Sequence, residues 1–424
     1  MMAPTRRETI AMMAAAAGTG LTGGCSLRGT PGELRFWAMG DEGGKVPQLM
    51  PTFEAANPGL KVVVQPLPWT AAHEKLLTAY VGGSLPDVSQ VGNTWIAELA
   101  AIGALAAVPA AQSGLLTDQF AAVLDTNRVG GTVYGVPWYV DTRVQFFRRD
   151  LFAKLGLVEP PSKWADWKVA LHGIKRIAGP GNYAILLPLN EFEQLLTFGL
   201  QQDEPLLRDH ESRGNFESAG FKAALAFYKS LFDEGLAPVA TSSQISNIWN
   251  EFAKGFYSVF VSGPWTIGDL KSRLPVSFQS SWATSVMPGP NGPGASAPGG
   301  ASLVVPKTAR DPAASWRLID YLTRPAVQSR FQQIAGSLPS RRSAWAAPAL
   351  ARDANVQTLA RQLDIARPLP KVPEWERIAT ELQIVAEAMV RGQHTVDAAA
   401  AEMNRRTDRL LAKRRWMLER GRAL

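Results

Sequence analysis

The chain has 424 residues with a formal charge of +7, a single cysteine and thirteen tryptophans. That length can bury two α/β cores of ordinary size, and one cysteine excludes both a disulfide framework and a cysteine-based zinc site. The charge argues against a nucleic-acid face, with a membrane or nucleic-acid contact of the C-terminal run as the alternative, because it sits at the ends: without residues 1–24 there are 42 basic against 36 acidic residues, and from Arg405 onward there are eight basic and two acidic, so residues 25–404 are neutral overall.

The chain opens on "TRRETIAMMAAAAGTGLTGGC", two arginines followed by small and apolar residues too few to span a bilayer. Residues 1–24 read as an export signal. Arg6 and Arg7 fit the twin-arginine route, although Thr9 stands where a large apolar residue is usual. "LTGGC" has the form of a lipobox that would place diacylglycerol on Cys25, with Leu21 one place further upstream than the usual spacing; cleavage without a lipid is the alternative. Residues 25–32 then form a linker, and no transmembrane run follows.

From Glu33 short apolar strands alternate with helices: "LRFWAM", a Gly-rich loop, a helix over Val46 to Ala56, "LKVVVQPL", a helix over Ala71 to Tyr80, and "DVSQV". That alternation predicts an α/β sheet covered on both faces. "PWYVDTRVQFFRRD" reads as a further strand, yet Asp141 and Arg143 interrupt it with charge. Further on, Phe221, Leu225, Tyr228, Phe232 and Leu236 recur at helical spacing. Strands return at "FYSVFVSG", "WATSVM" and "ASLVVP", the last two separated by a Pro/Gly loop. The basic residues after Arg405 read as a solvated helix or tail.

Candidate chemistry narrows by elimination. "GDEGGK" has the wrong spacing for a phosphate loop, Val46 stands where a Ser or Thr would hold magnesium, and Asp41 and Glu42 would repel a phosphate. His73, His172, His210 and His394 lack metal spacing and read as surface residues, so neither a metal nor a cofactor is expected. Without a G-x-S-x-G elbow, carboxylates alone remain for catalysis, which would admit a glycosidase drawing on Asp41, Glu42, Asp141 and Glu193. Trp69, Trp95, Trp138 with Tyr139, and Trp265 stand beside acidic or amide residues at strand ends, while Trp164, Trp167, Trp316 and Trp345 read as core. Indoles next to carboxylates suit a pyranose, whose C–H face packs on the ring and whose hydroxyls donate to the acid. Core packing is the alternative for any one of them.

The ordered pieces "LRFWAMGDEGGKVPQLMPTFEAANPGLKVVVQ", "LPDVSQVGNTWIAELAAIGAL", "YGVPWYVDTRVQFFRRDLF", "SVFVSGPWTIGDL", "VMPGPNGPGASAPGGASLVVPK", "DYLTRPAVQSRFQQIAGSLPSRRSAW" and "EAMVRGQHTVDAA" resemble the family 1 extracellular solute-binding proteins of ABC importers, of the maltose- and trehalose-binding kind. The resemblance implies a type II periplasmic binding fold, two α/β lobes joined by crossing segments with sugar held between them. Lobe 1 would take residues 33–140 and about 301–342, and lobe 2 residues 141–300 and about 343–424. It further implies that "PWYVDTRVQFF" crosses the hinge, so that Asp141 faces the cleft; the alternative is a surface salt bridge to Arg143. By the same matching Asp41, Glu42, Trp95 and Trp265 fall on ligand-binding positions, and Glu193 and Gly300 on looser matches; Trp69, Asn93 and Tyr139 join them from the strand-end reading, and Arg341 is a candidate cation for a phosphate. Glu42 replaces a residue commonly basic in maltose binders. The expected protein is a monomer that is exported to the periplasm or anchored by lipid at the outer face of the cytoplasmic membrane. It would bind an α-glucosidic disaccharide such as trehalose or maltose and deliver it to a permease; a glycerophosphodiester is the alternative ligand.

Replacing Cys25 by Ala should convert a membrane-retained protein into a soluble exported one, because the lipid is then the anchor. Intact mass of the exported wild-type protein checks this, and the mass of a bare polypeptide would refute lipidation.

Overall fold

Side-chain alternation builds the first layer. In β1 (Glu33–Met39), Phe36 and Ala38 enter one apolar cluster while Trp37 and Met39 enter another, because successive strand residues point to opposite faces. Both faces of the sheet are therefore covered, as the near-continuous apolar run requires. The structure, a computed structural model, describes residues 32–421 apart from residue 246. Cys25, the export segment 1–24 and all but the end of the 25–32 linker lie outside the described residues.

The first sheet has six strands, in the order β10 (Leu338–Pro339), β4 (Gly135–Thr142), β9 (Pro298–Val304), β3 (Val88–Gly92), β1 and β2 (Lys61–Leu67). β1 runs parallel to β2 and β3, whereas β9 is antiparallel to both β3 and β4. The second sheet has four strands, in the order β8 (Trp282–Ser285), β5 (Val144–Arg148), β7 (Tyr257–Ser262) and β6 (Tyr183–Leu186). Each sheet with its helices forms one lobe. In the second lobe Val259 and Val261 enter one cluster and Tyr257 and Phe260 the other, so this sheet too is a middle layer.

One stretch of backbone serves both sheets. Thr142 pairs with Pro298 in the first, Val144 pairs with Ser262 in the second, and Arg143 alone stands between. The chain returns through residues 286–297 and leaves again after β10. Thr142 and Ser296 hydroxyls meet at 2.7 Å, and Ser296 donates to the Arg143 carbonyl at 2.9 Å, which stitches the outgoing and returning segments together.

Several local expectations change. The Gly-rich loop after β1 is helical: α1 (Gly40–Lys45) leads through a 3-10 turn at Val46–Leu49 into a helix at Met50–Ala56. Gly43 allows this, because a Cβ there would lie 2.6 Å from the Ala38 carbonyl oxygen. Trp69 opens α2 (Trp69–Val81) rather than sitting in a loop. Trp138 is a core residue, stacked on Phe331 with ring centroids 4.7 Å apart; its strand position faces the helical layer, not the cleft. The basic C-terminal run is partly structural. It enters a helix at Val396–Leu410 that buries Ala399, Ala400 and Met403, and Arg405 and Arg406 hold Glu402 at a pKa of about 2.

A buried carboxylate secures the strand entering β3. Asp87 is fully buried and accepts from the Arg35 amide at 2.8 Å, the Arg310 amide at 3.0 Å and the Arg310 guanidinium at 2.7 Å. Burial alone would raise its pKa, but the Arg310 and Arg35 hydrogen bonds prevail and hold it below the usual range. A folded-state pKa below the unfolded one adds stability above the ordinary carboxylate pKa and loses it on acidification. Asp87→Asn should therefore cost about 1.5–3 kcal/mol at neutral pH, a difference that shrinks as pH falls below about 4. Urea denaturation of both proteins across pH checks it.

Candidate functional site

The lobes enclose a cavity of about 630 Å³ at the crossing strand. The first lobe contributes Asp41 and Glu42 from the first turn of α1, Trp69 from α2, Asn93, Thr94 and Trp95 from the turn after β3, Tyr139 and Asp141 from β4, and Gly299 and Gly300 from β9. Facing them are Phe192, Glu193, Leu196 and Thr197 of α3 (Phe192–Leu200), Trp265 at the start of α4 (Trp265–Arg273), and Glu376 near the start of α5 (Trp375–Val390). Arg143 lies at the junction. Strand ends and helix starts meet here because both sheets direct their connecting turns toward the gap between the lobes.

Each cleft indole lies over a glycine. A Cβ on Gly263 would sit 2.1 Å from Trp265 Cζ3, one on Gly40 2.6 Å from Trp69 Nε1, and one on Gly92 3.2 Å from Trp95 Cε2. Trp265 is 48% exposed and Trp69 36%, so these rings present a face to the cavity rather than to a core. Trp69 and Trp95 meet edge to face at 5.5 Å, and His73, hydrogen-bonded to Glu98, packs its ring 5.1 Å from that of Trp95. His73 is thus half-buried behind the cleft and not a free surface residue.

Five carboxylates, Asp41, Glu42, Asp141, Glu193 and Glu376, line the cavity against the single guanidinium of Arg143 among the lining residues. Burial raises Asp141, with Arg143 opposing and Glu193 adding to the rise. Burial likewise raises Glu42 against its own amide and the Ser337 hydroxyl, which donates at 2.9 Å, and raises Glu376 against a hydrogen bond from Thr94. Asp41 is largely exposed and pairs with Lys45 at 2.5 Å. Behind the acids, Gln90 joins the Met39 amide to the Tyr139 hydroxyl, at 2.7 and 3.0 Å. Burial, with Glu42 and Asp141 nearby, pushes the Tyr139 phenol well up, so it stays a neutral donor.

Ten of the eleven candidate binding residues line this cavity: Asp41, Glu42, Trp69, Asn93, Trp95, Tyr139, Asp141, Glu193, Trp265 and Gly300. Arg341 does not. It is buried away from the cleft, where its guanidinium donates to the carbonyls of Thr323 and Thr117 at 3.2 and 2.8 Å; the backbone carbonyls consume the donors that a ligand would need. Asn93 lines the cleft but is occupied, donating to the Gly299 carbonyl at 3.1 Å and accepting from Ser302 at 2.8 Å. Asp141 combines both readings of it, since it faces the cavity and accepts from Arg143 at 3.3 Å. Sequence reasoning missed Glu376, Thr94 and the apolar Phe192, Leu196 and Leu369, which carry no local signal. Gly299 had one, as the neighbour of Gly300: a Cβ there would lie 2.0 Å from Asp141 Oδ1.

Two α/β lobes hinged on a shared strand, with an acidic and indole-lined cleft between them, define a two-lobed binding protein. The sequence profile of the bacterial extracellular solute-binding proteins matches residues 48–358, and the chain belongs to that family. It is a solute-binding protein and not an enzyme. It is similar to the structure of the sugar-binding protein MalE from the phytopathogen Xanthomonas citri, at 49% identity with a TM-score of 0.88, covering 91% of this chain and 99% of that one. It is also 22% identical to the diacetylchitobiose binding protein DasA of Streptomyces coelicolor, over 84% of each chain. A maltooligosaccharide ABC transporter solute-binding lipoprotein of Streptococcus pneumoniae is 22% identical over 81% of this chain and 80% of its own.

Gly300 has φ +101°, and a Cβ would meet the Tyr139 carbonyl oxygen at 2.2 Å. Gly300→Ala should therefore cost about 1–3 kcal/mol of stability. Gly44→Ala, in an exposed helical position with nothing within 4 Å, should be neutral or stabilising by up to about 1 kcal/mol. Thermal denaturation of the two variants checks the contrast.

Proposed function

We propose that this protein captures an oligosaccharide in the cleft by hinge closure and delivers it to the permease of an ABC importer. The carrying observation is that three indoles and five carboxylates share one cavity across two lobes. Indole faces pack on pyranose C–H groups, and ionised carboxylates accept hydroxyl protons, two demands that a neutral polyol meets together. A cavity of about 630 Å³ lies within the range of small-molecule sites. An α-glucosidic disaccharide such as trehalose or maltose is the proposed ligand class, supported by the MalE-type similarity. The relatives of equal identity are named for chemically different sugars, so overall similarity does not choose the sugar.

A glycerophosphodiester fits less well. Its phosphate would enter a cleft whose one lining guanidinium is already engaged by Asp141 and Glu193, with further carboxylates nearby. The anion would have to displace these partners.

Closure follows from differential contact. A ligand shifts the open and closed forms only by its difference in affinity for them, and Trp265, Glu193 and Glu376 are the second-lobe groups a sugar bound to the first lobe would gain. The lobes move about the crossing strand and its partner segments, and the closed surface engages the permease. Export, a lipid anchor at Cys25 and a monomeric state complete the proposal. The family is extracellular, and among the described residues no helix is long and apolar enough to cross a membrane.

A thermal-shift panel of mono-, di- and trisaccharides with glycerophosphodiesters tests the reading, since a ligand at a hundred times its Kd adds about 2.7 kcal/mol. Trp265→Ala should then lose about 2–4 kcal/mol of affinity for the sugar so found, with little change in apo melting temperature because the ring is half exposed. Unchanged affinity by calorimetry, or stabilisation by a glycerophosphodiester alone, would refute it.

A further inference from the structure

Arg143 is the one residue between the two sheets on the outgoing strand, and its backbone is pinned by Ser296. Its side chain is not spent on structure in the way that of Arg341 is. Nη1 donates to Asp141 Oδ1 at 3.3 Å, on the first-lobe strand, and Nη2 donates to Glu193 Oε1 at 3.2 Å, on the second-lobe helix. The same guanidinium lies over the Trp265 indole, 4.9 Å from the ring centroid. A planar fork with five donors and a polarisable face can satisfy three such partners at once, whereas a lysine ammonium cannot.

We infer that Arg143 is the positioning residue of the cleft, one guanidinium at the hinge that holds a carboxylate from each lobe and the second-lobe indole in a single constellation. The inference rests on the reading of the cleft as the sugar site. Without Arg143, Asp141 and Glu193 face each other as like charges, and Trp265 loses the plane that orients it. Among the described residues that line the cavity there is no second guanidinium or ammonium; outside it Lys45 pairs with Asp41 and His73 acts on Glu376. Glu42 on α1, Tyr139 on β4, Glu191 ahead of α3 and Glu376 on α5 are the other titratable groups coupled to these carboxylates, and none carries positive charge. Two carboxylates left without a shared cation titrate as a coupled pair, one of them at raised pH.

The test begins with ligand-free protein. The Trp265 contribution to indole emission, taken as the difference from Trp265→Phe, should stay constant between about pH 5 and 8 in the wild type and titrate in that range in Arg143→Met. Adding Glu193→Gln to Arg143→Met should move the titration to lower pH, because Asp141 then keeps only Glu42 as a like-charged neighbour. Affinity for the sugar identified by the panel should fall about tenfold to a hundredfold in Arg143→Met and weaken further as pH rises. Arg143→Lys should restore a flat profile but only part of the affinity. A profile in Arg143→Met parallel to that of the wild type, or a titration that Glu193→Gln leaves unmoved, overturns the inference. Should Arg143→Met fail to fold, Glu193→Gln alone decides: it should change the Trp265 emission without pH dependence, and unchanged emission overturns the inference. If no sugar binds the wild type, the sugar reading falls while the emission measurements still decide the role of Arg143.

Discussion

A strand that belongs to two sheets constrains the rest of this structure. Once Thr142 is committed to Pro298 and Val144 to Ser262, the directions of both lobes are tied to one peptide segment. Val140 and Val144 on one face of the segment enter a core, whereas the side chains of Asp141 and Arg143 line the cavity. They face the gap, and charge is tolerated there. The same segment carries buried Trp138 four residues before its junction end and buried Phe146 after it, so the exception is confined to Asp141 and Arg143.

The cleft is organised so that little has to be ordered when a ligand arrives. Glycines beneath the three indoles remove the steric reason for the rings to swing away. Gln90 fixes the Tyr139 hydroxyl, and Asn93 ties the turn after β3 to the strand bearing Gly299. Preorganisation of this kind lowers the entropic cost of binding. The acids supply the drive in the other direction. Burial already disfavours the charge of Glu42, Asp141 and Glu376 in the ligand-free protein, and a hydroxyl that donates to an ionised carboxylate offsets that penalty.

Away from the cleft, charge serves packing more than recognition. Asp87 binds backbone and guanidinium donors from two distant segments, and Arg341 ties three backbone carbonyls behind the hinge. The C-terminal basic run is drawn onto the second lobe, where Arg406 pairs with Glu381 at 2.7 Å and Arg415 donates to the Ser212 carbonyl at 3.0 Å. Net charge counted along the chain therefore said where the excess lay and not what it does.

By itself the sequence determined the elements and much of the cleft. Apolar alternation marked β1, β2, β3, β7 and β9, since strand periodicity is a local consequence of burying both faces. Ordered motifs placed Asp41, Glu42, Asp141 and Trp265 because their local backbone positions are the positions that face the gap. The tertiary structure decided what depends on partners remote in the chain. It separated Trp138 from its neighbour Tyr139, turned the Gly-rich loop into a helix against Ala38, and withdrew Arg341 behind the hinge. It also brought Glu376 opposite Thr94 and set Arg143 between Asp141, Glu193 and Trp265. No local pattern could show these. A guanidinium, a carboxylate and an indole acquire a role only when folding removes water between them, and which of them meet is fixed by the packing of whole lobes.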